Sequence, residues 1–237
     1  MMTAKTSNGT PSDNAAGAPP RMNGFARLAV SPWMWLTLVT LGLAVALVYR
    51  QMHKHATPQL PVLGQIPVFS LSDQHGKPVT GNDYRGKVWI ADFIFLGCTQ
   101  SCPKLTGRMA SLQERIGSRE QQRGEPLPIK LVSFSVDPTN DTPERLQAYA
   151  DKFKADGSRW SFLTGQNEDV DKIVVQGFKM QYGKVDEGAG VFAIMHGDWF
   201  ILVDAKGNLR GYYESSEPAQ IEKLMSDAER LVDDSQG

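Results

Sequence analysis

Long apolar runs alternate with stretches of helical periodicity over most of the chain. The segment Lys87–Phe95 is almost continuously apolar, which predicts a central strand that is buried on both faces. Apolar residues then recur at spacings of four, three and four, which predicts a helix with one buried face, formed by Leu105, Met109, Leu112 and Ile116. Gly117 is the expected end of that helix, because glycine commonly terminates helices.

The same alternation continues towards the C-terminus. The predicted elements are a strand at 129–136, a helix from Thr142-Pro143, a strand at 160–163, a helix at 168–178, a hairpin with strands 199–203 and 209–213, and a helix from Pro218. The order is therefore βαβαβα followed by ββα. Strands that alternate with helices predict an α/β fold in which helices flank a central sheet on both faces.

The N-terminal part of the chain lacks this alternation. Residues 1–27 are small, polar and rich in Gly and Pro, which predicts a disordered tail. Leu28–Tyr49 is a run of 22 residues without a charge. As a helix it would reach about 33 Å, enough to cross a bilayer, so we predict one transmembrane anchor. Residues 50–62 are predicted to be a linker, and residues 63–237 one folded domain.

Two alternatives to the anchor are a cleaved signal peptide and a buried core helix. Ala44-Val45-Ala46 fits a cleavage pattern, but the apolar run is longer than a signal peptide normally has and a polar tail precedes it. A core helix would normally keep one polar face, which this run lacks. Lys5, Arg21 and Arg27 precede the run, so we expect the N-terminus inside and the folded domain exported.

The expected location is a bacterial inner membrane, with the C-terminal domain in the periplasm. The alternative is the mitochondrial inner membrane, facing the intermembrane space. It is disfavoured because the leader contains Asp13 and few arginines, unlike a transit peptide.

Charge excludes one class of partner. The chain has 25 Lys and Arg against 26 Asp and Glu, with no long basic run, so no footprint for nucleic acid is present. His53 and His55 form an H-x-H pair in the linker that could bind metal, but a solvated stretch is the more usual explanation beside a membrane.

The chemistry is concentrated in the two cysteines of the chain, Cys98 and Cys102, which lie between a predicted strand and a helix start. A helix N-terminus favours thiolate, the form that attacks disulfides and binds metals. A structural disulfide is an alternative, but so small a ring would add little stability. A structural zinc site normally needs four ligands, and the domain offers only His75 and His196 besides the two cysteines, so we do not expect zinc. Copper(I) accepts two or three ligands and prefers thiolate, so two cysteines with one imidazole would suit it.

Several blocks together resemble the Sco (SenC/PrrC) family of copper-binding proteins involved in cytochrome c oxidase assembly. They are the C-x-x-x-C-P motif of Cys98–Pro103, Ser135–Pro138 followed by Asp141–Glu144, His196 before the strand 201–204, and a peroxiredoxin-like opening at Pro67–Asp73. The resemblance extends from about Ile66 to the C-terminus. It departs at Thr99 and Gln100, where many members have proline and an acidic residue.

The resemblance implies a thioredoxin-like fold with one N-terminal transmembrane helix. It implies that Cys98, Cys102 and His196 bind copper, as Cu(I) with Cu(II) as an alternative, and we expect Asp137 to be a supporting residue. Met195 is expected to belong to the core.

Three functions are compatible with these residues. The first is a metallochaperone that delivers copper to the copper-accepting subunit of a terminal oxidase. The second is a thiol-disulfide oxidoreductase that reduces that subunit's copper-binding cysteines. The third is a peroxidase, which would not need His196. C-x-x-x-C, rather than C-x-x-C, favours copper binding over the usual oxidoreductase chemistry.

Overall fold

The computed structural model describes residues 32–53, 59–180, 183–184, 191–192 and 198–236. The chain divides into two units, Met1–Pro58 and Gln59–Gly237. The predicted tail at 1–27 and part of the predicted linker lie outside the described residues.

The described part of the first unit is one helix, α1, from Pro32 to His53. It extends into the stretch that we predicted to be a linker. None of the helices in the described part of the chain is long and apolar enough to cross a membrane. The structure therefore does not support the transmembrane anchor predicted at 28–49.

The second unit is an α/β domain. Its strands are β1 Gly64–Gln65, β2 Ser70–Asp73, β3 Pro78–Thr80, β4 Val88–Ile94, β5 Ile129–Ser135, β6 Trp160–Thr164, β7 Gly183–Lys184, β8 Val191–Phe192, β9 Trp199–Val203 and β10 Asn208–Glu214. Its helical elements are a 3₁₀ turn Gly81–Tyr84, α2 Ser101–Arg123, α3 Pro143–Lys152, α4 Asn167–Asp171, a π-helical turn Lys172–Gly177 and α5 Pro218–Gln236.

Eight strands form the main sheet, in the order β1-β10-β9-β4-β5-β6-β2-β3, and β7 pairs with β8 separately. The central strands β4, β5 and β6 are parallel, while β9 and β10 form the antiparallel hairpin expected from the sequence. The carboxyl ends of β4, β5 and β6 lie at the same edge of the sheet, which is where α/β folds place their sites. Both cysteines follow β4 at this edge.

Alternate residues of β4 enter two different cores. Ile90 and Ile94 pack under α2, α3 and α5. Trp89 and Phe93 face the other side, which is covered by α4 and the π-helical turn. The strand is buried along its whole length, as its apolar sequence predicts.

The elements predicted from β4 onwards are found in the predicted order, and the short strands β7 and β8 are an addition that was not predicted. One helix boundary is wrong. The helix after the cysteines does not end at Gly117 but continues to Arg123. Gly124 ends it instead, at φ 73°, a left-handed conformation that glycine adopts without strain. Gly117 is tolerated inside the helix because a helix held by tertiary packing can absorb one weak helix former.

Candidate metal centre

Cys98 lies in the loop that joins β4 to α2. We call residues 95–100 the cysteine loop. A backbone bond from the Cys98 N–H to the Phe95 carbonyl, at 3.2 Å, turns the chain towards the helix. The loop is short, so the side chain of Cys98 comes to lie over the first turn of α2.

The sulfur of Cys98 occupies the position of a helix-capping group. It accepts a hydrogen bond from the backbone N–H of Cys102 at 3.3 Å and lies 3.2 Å from the Ser101 hydroxyl. Partial burial alone would raise the pKa of Cys98, but these hydrogen bonds outweigh it and lower the pKa to about 7. Thiolate is therefore more accessible to Cys98 at neutral pH than to an ordinary cysteine.

Cys102 has the opposite character. It is buried, and packs in the core with the apolar side chains of α2. Burial, together with the nearby Cys98 sulfur and the Asp92 carboxylate, raises the pKa of Cys102 to about 12. Both cysteines are free thiols in this structure. The pair thus combines an accessible thiolate with a buried thiol.

His196, the third predicted ligand, lies outside the described residues. The described chain resumes at Asp198, which is firmly held: its carboxylate accepts a bond from Arg108 Nη1 at 2.7 Å, and its carbonyl accepts one from the Ser215 N–H at 2.7 Å. The same Arg108 nitrogen donates to the Ser215 hydroxyl at 3.0 Å. Arg108 belongs to α2, the helix that carries Cys102, so the chain two residues after His196 is tied to that helix.

Asp137, the predicted supporting residue, is part of a turn after β5. Its carboxylate accepts bonds from the Asn140 side chain at 2.9 and 3.1 Å. Asp141, which the sequence reasoning did not select, instead reaches the cysteine loop. It accepts a bond from the Leu96 N–H at 3.1 Å. The sequence feature that could have indicated Asp141 is its place at the end of a D-P-x-x-D pattern that follows a strand.

A second carboxylate that the sequence reasoning missed is Asp92, in the middle of β4. It is fully buried, on the face that packs against α2, and neither of its oxygens has a hydrogen-bond partner among the described residues. Ser133 lies opposite it on β5, and the Ser133 hydroxyl acts to lower the pKa of Asp92. Burial dominates and raises the pKa of Asp92 to about 7.

The donor set suits a soft metal ion. Thiolates at a helix N-terminus bind copper(I) well, and two sulfurs with one imidazole complete its usual coordination. The described residues contain no group of three His, Cys, Asp or Glu side chains that could hold a metal ion. The structure thus brings Cys98 and Cys102 together, while the placement of His196 beside them stays a prediction.

Comparison with known proteins identifies the family. The family model described as SCO1/SenC matches residues 63–233, which is most of the chain. The chain belongs to the SCO1/SenC family. This confirms the resemblance that the sequence motifs indicated.

Solved structures of family members have the same fold. A SCO1/SenC family lipoprotein from Bacillus anthracis is 36% identical, with a TM-score of 0.63 over 72% of this chain and 96% of that one. The Sco protein BsSco is 28% identical, with a TM-score of 0.63 over 73% of this chain and 96% of that one. BsSco is described as a member of the Sco family of cytochrome c oxidase assembly proteins, and a disulfide switch was identified in it.

A more distant relative carries copper in its name. A Stutzerimonas stutzeri protein named as a candidate copper-binding protein is 25% identical over 203 residues, which are 83% of this chain and 94% of that one. With the sheet order and flanking helices described above, these likenesses confirm the α/β, thioredoxin-like fold predicted for the second unit.

Proposed function

We propose that this Sco family protein is a copper metallochaperone, which holds copper with Cys98, Cys102 and His196 and passes it to the copper site of cytochrome c oxidase. The observation that carries the proposal is the pair of free thiols at the N-terminus of α2, where hydrogen bonds to the Cys98 sulfur lower its pKa. The names of the relatives, one for copper binding and one for oxidase assembly, support it.

The different pKa values of Cys98 and Cys102 suit a site that binds copper and later releases it to a recipient. The Cys98 side chain is partly exposed and can take copper(I) first, because its lowered pKa leaves fewer protons to displace from it than from Cys102. Cys102 gives up its proton only when copper is close enough to stabilise the thiolate. Copper is then held by ligands that can be exchanged one at a time with those of a recipient.

The anchoring of Asp198 supports His196 as the third ligand. Covalent geometry keeps the Cα of His196 within about 7 Å of the Cα of Asp198. Arg108, which binds Asp198, is six residues after Cys102 and so about 9 Å along the axis of α2. Side chains on a helix lean towards its N-terminus, so the Arg108 side chain extends in the direction of Cys102.

The test is an anaerobic Cu(I) titration of the reduced chain against a competing chelator. We expect tight one-to-one binding that is lost or strongly weakened in Cys98→Ser, Cys102→Ser and His196→Ala. His75→Ala is the matched control, because His75 is exposed on the β2–β3 turn and should leave the affinity unchanged. Wild-type affinity in His196→Ala would reject the three-ligand site.

A second function, thiol-disulfide exchange, is favoured by the same pair of pKa values. The Cys98 thiolate would attack a disulfide of the oxidase subunit, forming a mixed disulfide and releasing one substrate thiolate. Cys102, after losing its proton, would then attack Cys98. The products are a Cys98–Cys102 disulfide and a second substrate thiolate, so two electrons pass to the substrate.

The two functions differ in their need for His196. Reduction of a disulfide-bonded peptide that carries a C-x-x-x-C segment should require both cysteines and be unaffected by His196→Ala. Copper transfer should require all three residues. If His196→Ala abolishes copper binding but leaves peptide reduction intact, then the wild-type chain can perform both chemistries.

Membrane attachment at 28–49 and a periplasmic location of the domain remain part of the proposal. Their support is the charge-free sequence of that segment and a relative described as a lipoprotein. Protease treatment of spheroplasts tests this: the domain should be digested from outside. Full protection without lysis would contradict it.

A further inference from the structure

The cysteine loop is held to the neighbouring strand at two successive points. The Ile94 carbonyl, at the end of β4, accepts a bond from the Val136 N–H at 3.0 Å. Two residues later, the Leu96 N–H donates to the Asp141 carboxylate, at 3.1 Å to Oδ2 and 3.3 Å to Oδ1. The first contact continues the sheet, and the second is made by a side chain from the following turn.

Asp141 is itself fixed in place. Its side chain is fully buried, and the Ser135 hydroxyl donates to its Oδ2 at 2.7 Å. Its own N–H donates to the Asp137 carbonyl at 2.9 Å. A carboxylate that is desolvated and bonded on both sides has one available orientation, so its contact with Leu96 is geometrically defined.

We propose that Asp141 is a positioning residue of the copper site, which holds the cysteine loop through Leu96 so that the Cys98 sulfur stays over the first turn of α2. It acts two residues away from Cys98 and is not a ligand. The Leu96 N–H is partly buried and would lose its acceptor without Asp141, so the loop would have to rearrange to reach water or another acceptor. This inference rests on the proposed copper-binding function.

The neighbouring carboxylate provides a contrast. Asp137 is also nearly buried, but its carboxylate bonds to the Asn140 side chain, inside the turn. It stabilises the shape of the turn without contacting the cysteine loop. The structure therefore assigns the role of supporting residue to Asp141 rather than to Asp137.

Three substitutions in the full-length reduced chain separate positioning from a general structural role. Asp141→Ala removes the acceptor of the Leu96 N–H. Asp141→Asn is the rescue variant, because its amide oxygen can still accept from Leu96 while its amide NH₂ donates to the Ser135 hydroxyl. Asp137→Ala is the matched control, since it removes a carboxylate from the same turn that has no contact with the loop.

The readouts are amide hydrogen exchange of the loop, measured without metal, and Cu(I) affinity from chelator competition. In Asp141→Ala, we expect exchange at Leu96 to rise at least tenfold and the affinity to fall about tenfold. Asp141→Asn should remain within about threefold of wild type in both. Asp137→Ala should leave both unchanged even if it lowers the stability of the whole domain.

Each result decides the proposal. Unchanged exchange at Leu96 and unchanged affinity in Asp141→Ala would overturn it, and so would equal losses in Asp141→Ala and Asp137→Ala. If the wild-type chain binds no copper, the proposed function fails, while the exchange measurement still decides whether Asp141 holds the loop. Should Asp141→Ala not fold, Ser135→Ala replaces it: severalfold faster exchange at Leu96 is expected, and wild-type exchange would overturn the proposal.

Discussion

The pH dependence of copper binding tests the asymmetry of the two thiols. Copper(I) binds thiolates, so each cysteine that is still protonated must release its proton on binding. With pKa values of about 7 for Cys98 and about 12 for Cys102, binding near pH 8 releases about one proton, almost all of it from Cys102. The affinity should therefore rise about tenfold between pH 7.5 and 8.5.

Two ordinary thiols would behave differently. If both cysteines kept the usual pKa of 9.0, close to two protons would be released and the affinity would rise about sixtyfold over the same interval. Ser101→Ala should give a rise between the tenfold and sixtyfold values, because Ser101 is exposed and its hydroxyl lies within hydrogen-bond distance of the Cys98 sulfur. Loss of that bond should raise the pKa of Cys98 by about one unit and steepen the rise to about thirtyfold.

The assay is anaerobic competition against a chromophoric Cu(I) chelator that has no titrating group between pH 7 and 9. Ser111→Ala is the matched control, since Ser111 is an exposed serine of the same helix that bonds to the Gly107 carbonyl. A sixtyfold rise in wild type would refute the lowered pKa of Cys98. A tenfold rise in both wild type and Ser101→Ala would refute the role of the Ser101 hydroxyl.

Three further predictions follow from other contacts. Arg108→Met should weaken Cu(I) binding about tenfold, but cause no additional loss in a His196→Ala chain, because Arg108 binds Asp198, two residues after the proposed ligand His196. Equal losses in both chains, measured by chelator competition, would contradict this. Asp92→Asn should raise the free energy of unfolding at pH 8 by at most about 4 kcal/mol. Wild type loses stability as the pH rises from about 4, where an unfolded carboxyl ionises, to about 7, the pKa of the buried Asp92. Urea unfolding should show a difference in free energy between variant and wild type that is larger at pH 8 than at pH 5, and an equal difference at both would refute this. Gly124→Ala should cost about 1 kcal/mol in urea unfolding, because φ is 73° there, and a wild-type midpoint would contradict it.

The sequence was sufficient wherever one periodicity dominated. The apolar run of β4 and the four-three-four spacing of α2 predicted both elements, and the cysteines between them predicted a reactive pair at a helix N-terminus. The short strands β1, β2, β3, β7 and β8 were not predicted, because two to four residues are too few to show an alternating pattern. The end of α2 was misplaced, because Gly117 and Gly124 are equivalent as sequence signals and only packing distinguishes them.

Local sequence pattern alone could not show what Asp92 and Asp141 contact. Asp92 stands in an apolar strand, where its single polar side chain looks like an interruption, and only the structure shows that it is close enough to Cys102 to raise the pKa of that thiol. Asp137 and Asp141 are both acidic residues of one turn. Only the three-dimensional structure shows that Asp141 reaches Leu96, which is 45 residues away in the chain.

The two proposed functions, copper transfer and disulfide exchange, share their first steps. Both chemistries would begin with the partly exposed Cys98 thiolate, and both would then require the buried Cys102 to lose a proton. The charge on Asp92 opposes that second step, because it raises the pKa of Cys102. A bound copper ion supplies positive charge that offsets the opposition, whereas an incoming disulfide carries no such charge. We therefore expect the two thiols to be better suited to completing a copper site than to rapid reduction of disulfides, and we expect His196, the proposed third ligand, to determine which reaction they perform.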